Sequence, residues 1–94
     1  MKVVRTAAEL NEEVAKQRKA GQTIGFVPTM GALHVGHISL VNKCLNDGCY
    51  TVCSIFVNPT QFNDKNDLKN YPRMPEKDLA LLEERGVHLV FMPS

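Results

Sequence analysis

The chain has no tryptophan, only 6% aromatic residues and no long apolar run. Because a membrane-spanning helix needs about 20 consecutive apolar residues, the chain is not expected to cross a membrane. Residues 1–5 also lack the apolar stretch of a secretory signal. Eleven basic and ten acidic residues nearly cancel, and the net charge of +1 carries no signature of binding to nucleic acid or to a membrane surface.

Cysteine is also scarce, and its spacing excludes a simple disulfide framework. Cys44, Cys49 and Cys53 are odd in number and contain no Cys-x-x-Cys pair. This pattern favours free thiols in a reducing compartment, so we expect a cytoplasmic protein. At 44% apolar residues the chain has enough hydrophobic side chains to fold, and 94 residues form at most one small domain.

What is present is an alternation of strand and helix patterns. Thr6 and Glu9 form a capping-box signature that begins a helix over residues 7–19, after a short edge strand over 2–5. The further predicted elements are strands over 23–27, 50–57 and 87–92, and helices over 36–47 and 75–85. Along the second of these strands, odd-numbered and even-numbered side chains are expected to face opposite sides. Alternating strands and helices predict an α/β fold with a parallel sheet.

Residues 25–41, GFVPTMGALHVGHISLV, carry the candidate site. An apolar strand ends at Pro28, a turn with Gly31 follows, and His34-Val35-Gly36-His37 opens a helical pattern. The first turn of a helix has unpaired backbone N–H groups and a partial positive charge, which attract phosphate. The two glycines allow backbone to approach an anion closely. The two histidines are three residues apart, so they share a helix face and can reach one bound group.

Two other interpretations of the histidines are open from the residues alone. Both are compatible with ordinary residues at a helix start. A metal site would combine His34 and His37 with Cys44, and with Cys49 as a further ligand. Positions 37 and 44 are two helical turns apart, about 10.5 Å, which disfavours a single ion bound to both.

The histidine motif is similar to the His-x-Gly-His motif of the nucleotidylyltransferase superfamily. Three further blocks are Pro28-Thr29-Met30-Gly31, residues 55–62 (IFVNPTQF) and Tyr71-Pro72-Arg73. In this order and spacing they resemble the pantothenate synthetase (pantoate–beta-alanine ligase) family over essentially the whole chain. The resemblance implies a three-layer Rossmann-like α/β fold, with a parallel sheet and flanking helices. Residues 1–94 would be the N-terminal part of its nucleotide-binding domain, truncated and without a second domain.

The resemblance also implies an activity. Members of the family use ATP, with Mg²⁺ held by the nucleotide, to adenylate the carboxylate of pantoate and release pyrophosphate. The amine of beta-alanine then displaces AMP to form the amide. The implied partners are therefore pantoate, beta-alanine and ATP, and a homodimer is expected.

Residue roles carried over from the family fall into two groups. His37 is expected to be a general acid or a phosphate stabiliser, with His34 as its companion. The expected ATP contacts are Met30, Gly31, Ala32, Leu33, His34, Val35, Gly36 and His37. The expected substrate contacts are Gln61, Asn58, Pro28 and Thr29. No protein ligand to a metal is assigned, and Glu76 and Asp78 are expected to serve the dipole of the third helix.

Alternatives to this function are another nucleotidylyltransferase of the same fold and a non-catalytic association module. The second ATP motif of the superfamily, which resembles Lys-Met-Ser-Lys-Ser, does not occur in these 94 residues. The chain alone is therefore expected to be inactive. It is also expected to self-associate through the strand at residues 23–27, whose outer edge would be open.

Overall fold

The computed structural model describes residues 1–56 and 74–93. The strands are β1 (Lys2–Val4), β2 (Ile24–Thr29), β3 (Tyr50–Ile55) and β4 (Leu89–Phe91), and the helices are α1 (Ala7–Lys19), α2 (Val35–Asn46) and α3 (Pro75–Arg85). The strands pair in parallel in the order β1-β4-β3-β2. The predicted α/β fold with a parallel sheet and flanking helices is confirmed.

Local capping signals set the ends of α1 and α3. The Thr6 hydroxyl accepts the backbone N–H of Glu9 at 3.2 Å and donates its own proton to the Glu9 carboxylate at 2.9 Å. Helix α3 begins at Pro75 and ends before Gly86, whose φ of 93° lies in the left-handed region that glycine adopts readily. Both helices have the bounds that the sequence predicts.

Side chains alternate across β3 and contribute to two apolar layers. The first layer contains the buried residues Val27, Val41, Cys53, Ile55, Leu82, Val87, Val90 and Met92, from the sheet, α2 and α3. The second contains Val4, Val52 and Leu89, with Leu10 and Val14 of α1 packed against them. Burial of each such side chain stabilises the fold by about 1.5–3 kcal/mol. The predicted alternation is confirmed, and the sheet lies between helices on both faces.

Strand ends differ from the predicted ones. The sequence predicts a break at Pro28, whereas β2 continues to Thr29, with Pro28 in register with Ser54. Strand β2 is outermost among the described strands, where a proline is tolerated because its missing N–H need not join a second neighbour. Strand β4 spans Leu89–Phe91 and is shorter than predicted. Self-association through β2 stays a prediction.

Part of the predicted organisation lies outside the described residues. It comprises position 57 of the second predicted strand, Asn58, Gln61 and residues 71–73. The assignment of residues 1–94 to the N-terminal part of a larger nucleotide-binding domain stays a prediction. In the described ranges, no helix combines the length and hydrophobicity that crossing a membrane requires.

Gly25 of β2 lies beside Cys44 of α2 and Cys49, the residue before β3. A Cβ atom at this position would stand 2.8 Å from Cys44 Sγ and 3.0 Å from Cys49 Cβ, closer than non-bonded atoms pack. The missing side chain therefore lets the last turns of α2 lie close to the sheet.

Gly25→Ala should lower the free energy of unfolding by about 1–3 kcal/mol, because the added methyl group overpacks this contact. Urea titrations measure the change. Cys44→Ala removes the nearest atom, so the double variant should lose less stability than the sum of the two single variants, by about 0.5 kcal/mol or more. Additive losses would contradict the close approach.

Candidate functional site

The carboxyl end of β2 leads directly into the candidate site. Thr29 is buried, and its hydroxyl donates to the Ser54 carbonyl at 2.8 Å and accepts the backbone N–H of Gly31 at 3.2 Å. This hydroxyl therefore ties the turn after β2 to the neighbouring strand. Thr29 and Pro28 were both expected to contact substrate, and the structure gives Thr29 a definite role in holding the turn, while Pro28 lies exposed one residue earlier.

The turn itself has an unusual backbone. Gly31 has a φ of 86°, and Ala32 has a φ of 50°, making it the one non-glycine residue with positive φ in the described ranges. A non-glycine residue in this region costs about 1–2 kcal/mol, so the conformation needs support from its surroundings. At Gly31 a Cβ atom would lie 3.3 Å from Asp78 Oδ2 and 3.4 Å from Ile55 Cγ2, which leaves little room for a side chain.

That support comes from Asp78 in the first turn of α3. Its Oδ2 accepts the backbone N–H of Ala32 at 3.0 Å, and its Oδ1 accepts that of Leu33 at 3.1 Å. The residue is only 3% exposed. Hydrogen bonds to a charged acceptor and the positive end of α3 offset the cost of burying a carboxylate. The expectation that Asp78 serves the helix dipole is therefore incomplete, because its side chain binds the turn after β2.

The sequence contains one signal for this role. Asp78 and Leu82 are four residues apart and therefore lie on one face of α3. Leu82 is fully buried in the first apolar layer. An acidic residue in line with a buried leucine indicates a buried carboxylate with a specific partner, although the spacing cannot identify that partner.

The two histidines cap α2 reciprocally. His34 is the N-cap residue, and its Nδ1 accepts the backbone N–H of Gly36 at 3.1 Å. The Nδ1 of His37 accepts the backbone N–H of His34 at 3.2 Å. The ring centroids are 4.1 Å apart. This is the capping-box arrangement with imidazoles in place of the usual hydroxyl and carboxylate, and the predicted proximity of the two rings is confirmed.

Reciprocal capping determines which ring nitrogen carries the proton. Because both Nδ1 atoms accept hydrogen bonds, each neutral imidazole carries its proton on Nε2 and has one N–H left to donate. The pKa of His37 lies below its ordinary value of 6.5, because the ring is partly buried and lies beside His34, while Asp78 acts in the opposite direction. His37 is therefore a neutral hydrogen-bond donor at neutral pH.

Several backbone N–H groups of this segment already have protein acceptors. Gly31 donates to Thr29, Ala32 and Leu33 donate to Asp78, and His34 and Gly36 donate to the imidazoles. The sequence predicts that the two glycines bring backbone close to a bound anion. In the structure their closest neighbours are Asp78 and Ile55 at Gly31, and the His34 ring at Gly36. The donors that these contacts leave for a ligand include the imidazole Nε2–H groups.

The other predicted residues stand as follows. Met30 is partly buried in the turn and Val35 is exposed in the first turn of α2. Asn58 and Gln61 lie outside the described residues. Within residues 1–56 and 74–93, no three His, Cys, Asp or Glu side chains come together as a metal site. Cys44, considered above as a ligand, packs against Gly25, and burial raises the pKa of its thiol.

The third histidine lies at the opposite end of the sheet. His88 Nδ1 accepts the backbone N–H of Thr51 at 3.0 Å, and its ring stacks on Tyr50 with centroids 4.9 Å apart. It borders an open concavity of about 500 Å³ to which Gln17 and Cys49 also contribute. His34 and His37 do not line this concavity, so the candidate site is separate from it.

Comparison with known proteins defines the class and then the family. The parallel α/β sheet, in which β2 leads into the His-x-Gly-His start of α2, fits the nucleotidylyltransferase class that the sequence resembles. Residues 2–94 match the family model described as pantoate-beta-alanine ligase. The chain belongs to the pantoate–beta-alanine ligase family.

Individual relatives agree with this assignment. The chain is 56% identical over 94 residues to the pantothenate synthetase of Porphyromonas gingivalis strain W83, covering all of this chain and 34% of the relative. It is 53% identical to that of Agrobacterium fabrum, covering 32% of the relative. The chain thus spans about a third of the length of the curated relatives it matches, 34% for the first.

Solved structures show the same fold. The pantoate-beta-alanine ligase of Francisella tularensis, solved in complex with beta-gamma ATP and beta-alanine, superposes with a TM-score of 0.84 at 41% identity, over all of this chain and 36% of that one. The pantothenate synthetase of Thermus thermophilus gives a TM-score of 0.79 at 45% identity, over all of this chain and 32% of that one.

Gly36→Ala should displace the His34 ring, because the new methyl group would lie 2.9 Å from His34 Cε1 and 3.2 Å from Nδ1. Loss of the cap costs about 1 kcal/mol, and the gain in helix propensity offsets about the same amount, so stability should change little. The ¹⁵N resonances of the His34 ring should nevertheless move. Asn42→Ala, at an exposed position of α2, is the control that should leave them in place, and an unmoved ring in Gly36→Ala would contradict the geometry.

Stability should fall as the pH falls below about 6.5, the ordinary His37 pKa. Since folding lowers the pKa of His37, the unfolded chain takes up the proton first, and the contribution of the neutral ring is lost as pH falls through the folded pKa. His37→Asn keeps an acceptor near the Nδ1 position but does not titrate. Urea unfolding at pH 7.5 and 5.0, chosen as about one unit or more on either side of 6.5, should show a smaller acid loss in this variant than in the wild type. Equal losses would contradict the role of His37.

Proposed function

We propose that the protein is an ATP-dependent ligase that joins pantoate to beta-alanine through a pantoyl-adenylate. The observation that carries the proposal is the pair of imidazoles at the start of α2, 4.1 Å apart, each with Nδ1 occupied by a backbone N–H. Membership of the pantoate–beta-alanine ligase family supports it. So does the Francisella tularensis relative, whose structure contains beta-gamma ATP and beta-alanine.

The first step is the attack of a pantoate carboxylate oxygen on the α-phosphorus of ATP. A new P–O bond forms, the bond to pyrophosphate breaks, and negative charge accumulates on the phosphoryl oxygens. Fixed N–H donors stabilise such charge because they need no reorganisation during the reaction. His34 and His37 each provide one Nε2–H for this purpose, held in place by the backbone bonds at Nδ1.

The second step is the attack of the beta-alanine amine on the acyl carbon of the adenylate. The amide C–N bond forms, AMP leaves with the oxygen of the mixed anhydride, and the amine loses a proton. Mg²⁺ held by ATP would supply neutralisation of phosphate charge, and we propose no protein ligand for it. The proposed ATP contacts are residues 30–37. Within this range, the amides of Ala32 and Leu33 are bound to Asp78. These two residues would therefore line the nucleotide site without donating their amides to ATP.

A neutral His37 is better suited to donating a hydrogen bond than to providing a fixed positive charge. Its lowered pKa leaves the ring uncharged near pH 7, with one proton on Nε2. Such a ring can stabilise a phosphoryl oxygen by hydrogen bonding or can transfer its proton as a general acid. These two roles make different demands on a replacement side chain, which allows them to be separated by experiment.

The remaining parts of the proposal concern the whole protein. We propose that Gln61 and Asn58 contact pantoate, because an amide offers both a donor and an acceptor to a substrate with hydroxyls and a carboxylate. The proposed substrate contacts of Pro28 and Thr29 are through backbone and wall, since the Thr29 hydroxyl is bound to Ser54 and Gly31. We also propose that the protein is cytoplasmic and forms a homodimer, and that residues 1–94 are the N-terminal part of its nucleotide-binding domain.

The protein, at the full length that its gene encodes, should catalyse pantoate-dependent exchange of labelled pyrophosphate into ATP. His37→Asn keeps the acceptor of the cap but removes the Nε2–H, and should lower the exchange rate about 10²- to 10³-fold, as expected for loss of a fixed donor. His37→Gln places an amide N–H near the Nε2 position. It should retain more exchange than His37→Asn if His37 acts by hydrogen bonding, and equally little if His37 transfers a proton.

Asn42→Ala, at an exposed position of α2 away from both rings, should exchange at the wild-type rate. Exchange that requires a phosphorylated alcohol in place of pantoate would replace the proposal with another nucleotidylyltransferase activity. Absence of both exchange and ATP binding would indicate a non-catalytic association module.

A further inference from the structure

The strongest feature that the proposed function does not use is the carboxylate of Asp78. It is buried to 3% exposure, and both oxygens accept backbone N–H groups from residues 46 and 45 positions earlier in the chain. Within residues 1–56 and 74–93, the one salt bridge joins Lys2 to Glu13, so no described cation neutralises Asp78. Its charge is compensated by the amides of Ala32 and Leu33 and by the start of α3.

The place that Asp78 occupies is one where other proteins bind anions. Successive backbone N–H groups in a turn with left-handed residues form a concave site for an anion. Here Gly31 and Ala32 have positive φ, and the amides of Ala32 and Leu33 converge on one carboxylate. The anion bound by this turn is therefore the protein's own Asp78 carboxylate, which connects the turn to α3.

The turn is continuous with the histidines. Leu33 directly precedes His34, which is the N-cap of α2 and whose own N–H bonds to His37. Thr29 holds the beginning of the turn at Gly31, and Asp78 holds its end at Ala32 and Leu33. A change in the position of Ala32 and Leu33 would therefore move the N-cap and both rings.

We propose that Asp78 is a positioning residue, which holds the backbone of Ala32 and Leu33 from α3 and thereby sets the location of the His34 and His37 imidazoles. It acts through the turn and touches no reacting atom. The catalytic consequence of this positioning rests on the proposed ligase function, because that function gives the two imidazoles their role. The geometric part stands on its own and has its own measurement.

The test compares Asp78→Ala and Asp78→Asn with Glu76→Gln in the protein at its full encoded length. Glu76 is the matched control because it is an exposed acidic residue in the same first turn of α3. In Asp78→Ala, the amide proton resonances of Ala32 and Leu33 should shift upfield as they lose a charged acceptor. The ring ¹⁵N resonances of His34 and His37 should shift with them. Asp78→Asn keeps one acceptor oxygen, so one of the two amides should remain near its wild-type position.

A measurement on the wild type complements the variants. Scalar coupling across the hydrogen bonds, from the amide ¹⁵N of Ala32 and Leu33 to the Asp78 carboxyl ¹³C, should be detectable. This coupling shows directly whether Asp78 accepts the two hydrogen bonds, even where a variant does not fold. Circular dichroism identifies a variant that does not fold. Lack of coupling in the wild type, together with amide shifts in Asp78→Asn no larger than those in Glu76→Gln, would overturn the proposal.

Kinetics test the consequence for the reaction. Displacement of catalytic groups by about 1 Å can cost up to about 100-fold, so kcat of Asp78→Asn should fall about 10- to 100-fold. The KM of Asp78→Asn for beta-alanine should stay at the wild-type value. In Glu76→Gln, both kcat and this KM should stay at the wild-type values. A fall in kcat without movement of the imidazole resonances would indicate a loss of folded protein and would count against positioning. Moved rings with an unchanged kcat would also overturn it.

Failure of the proposed function gives a different result. If the wild type shows no pantoate-dependent exchange, the ligase activity is excluded while the spectra still decide the role of Asp78. Imidazole shifts in Asp78→Asn that are absent from Glu76→Gln would support positioning, and their absence would overturn it.

Discussion

A buried carboxylate bound to two backbone amides holds the candidate site together. Asp78 reaches from the first turn of α3 to Ala32 and Leu33, and within residues 1–56 and 74–93 no other hydrogen bond links α3 to the turn after β2. The turn contains a non-glycine residue at positive φ, which surrounding structure must stabilise. Because this turn leads directly into the N-cap of α2, the geometry of both imidazoles depends on a charge that lies in another element.

The imidazoles combine a structural and a chemical task. Each Nδ1 satisfies a backbone N–H that the helix leaves unpaired, and each Nε2–H is then free to act on a ligand. The strand-turn-helix pattern alone suggested that backbone amides would bind the anion. In the structure, protein acceptors occupy the amides from Gly31 to His34 and of Gly36, so the imidazole side chains join the donors that remain for a ligand.

Local signals explain which predictions were confirmed. The bounds of α1 and α3 follow from Thr6, Pro75 and Gly86, because capping depends on residues close in sequence. Strand ends depend on the neighbouring strand, so the continuation of β2 past Pro28 and the shortness of β4 were not predicted. The partner of Asp78 lies 45–46 residues away, a separation at which helical periodicity indicates burial but identifies no partner.

The sequence by itself determined the alternation of strands and helices, the caps, and the pairing of His34 with His37, since each is encoded within a few neighbouring residues. Only the tertiary structure decided that Gly31 makes room for Asp78, and that the amides of Ala32 and Leu33 bind this carboxylate. The physical reason is that a hydrogen bond needs a partner in space, and α3 reaches the turn after β2 only once the parallel sheet has formed.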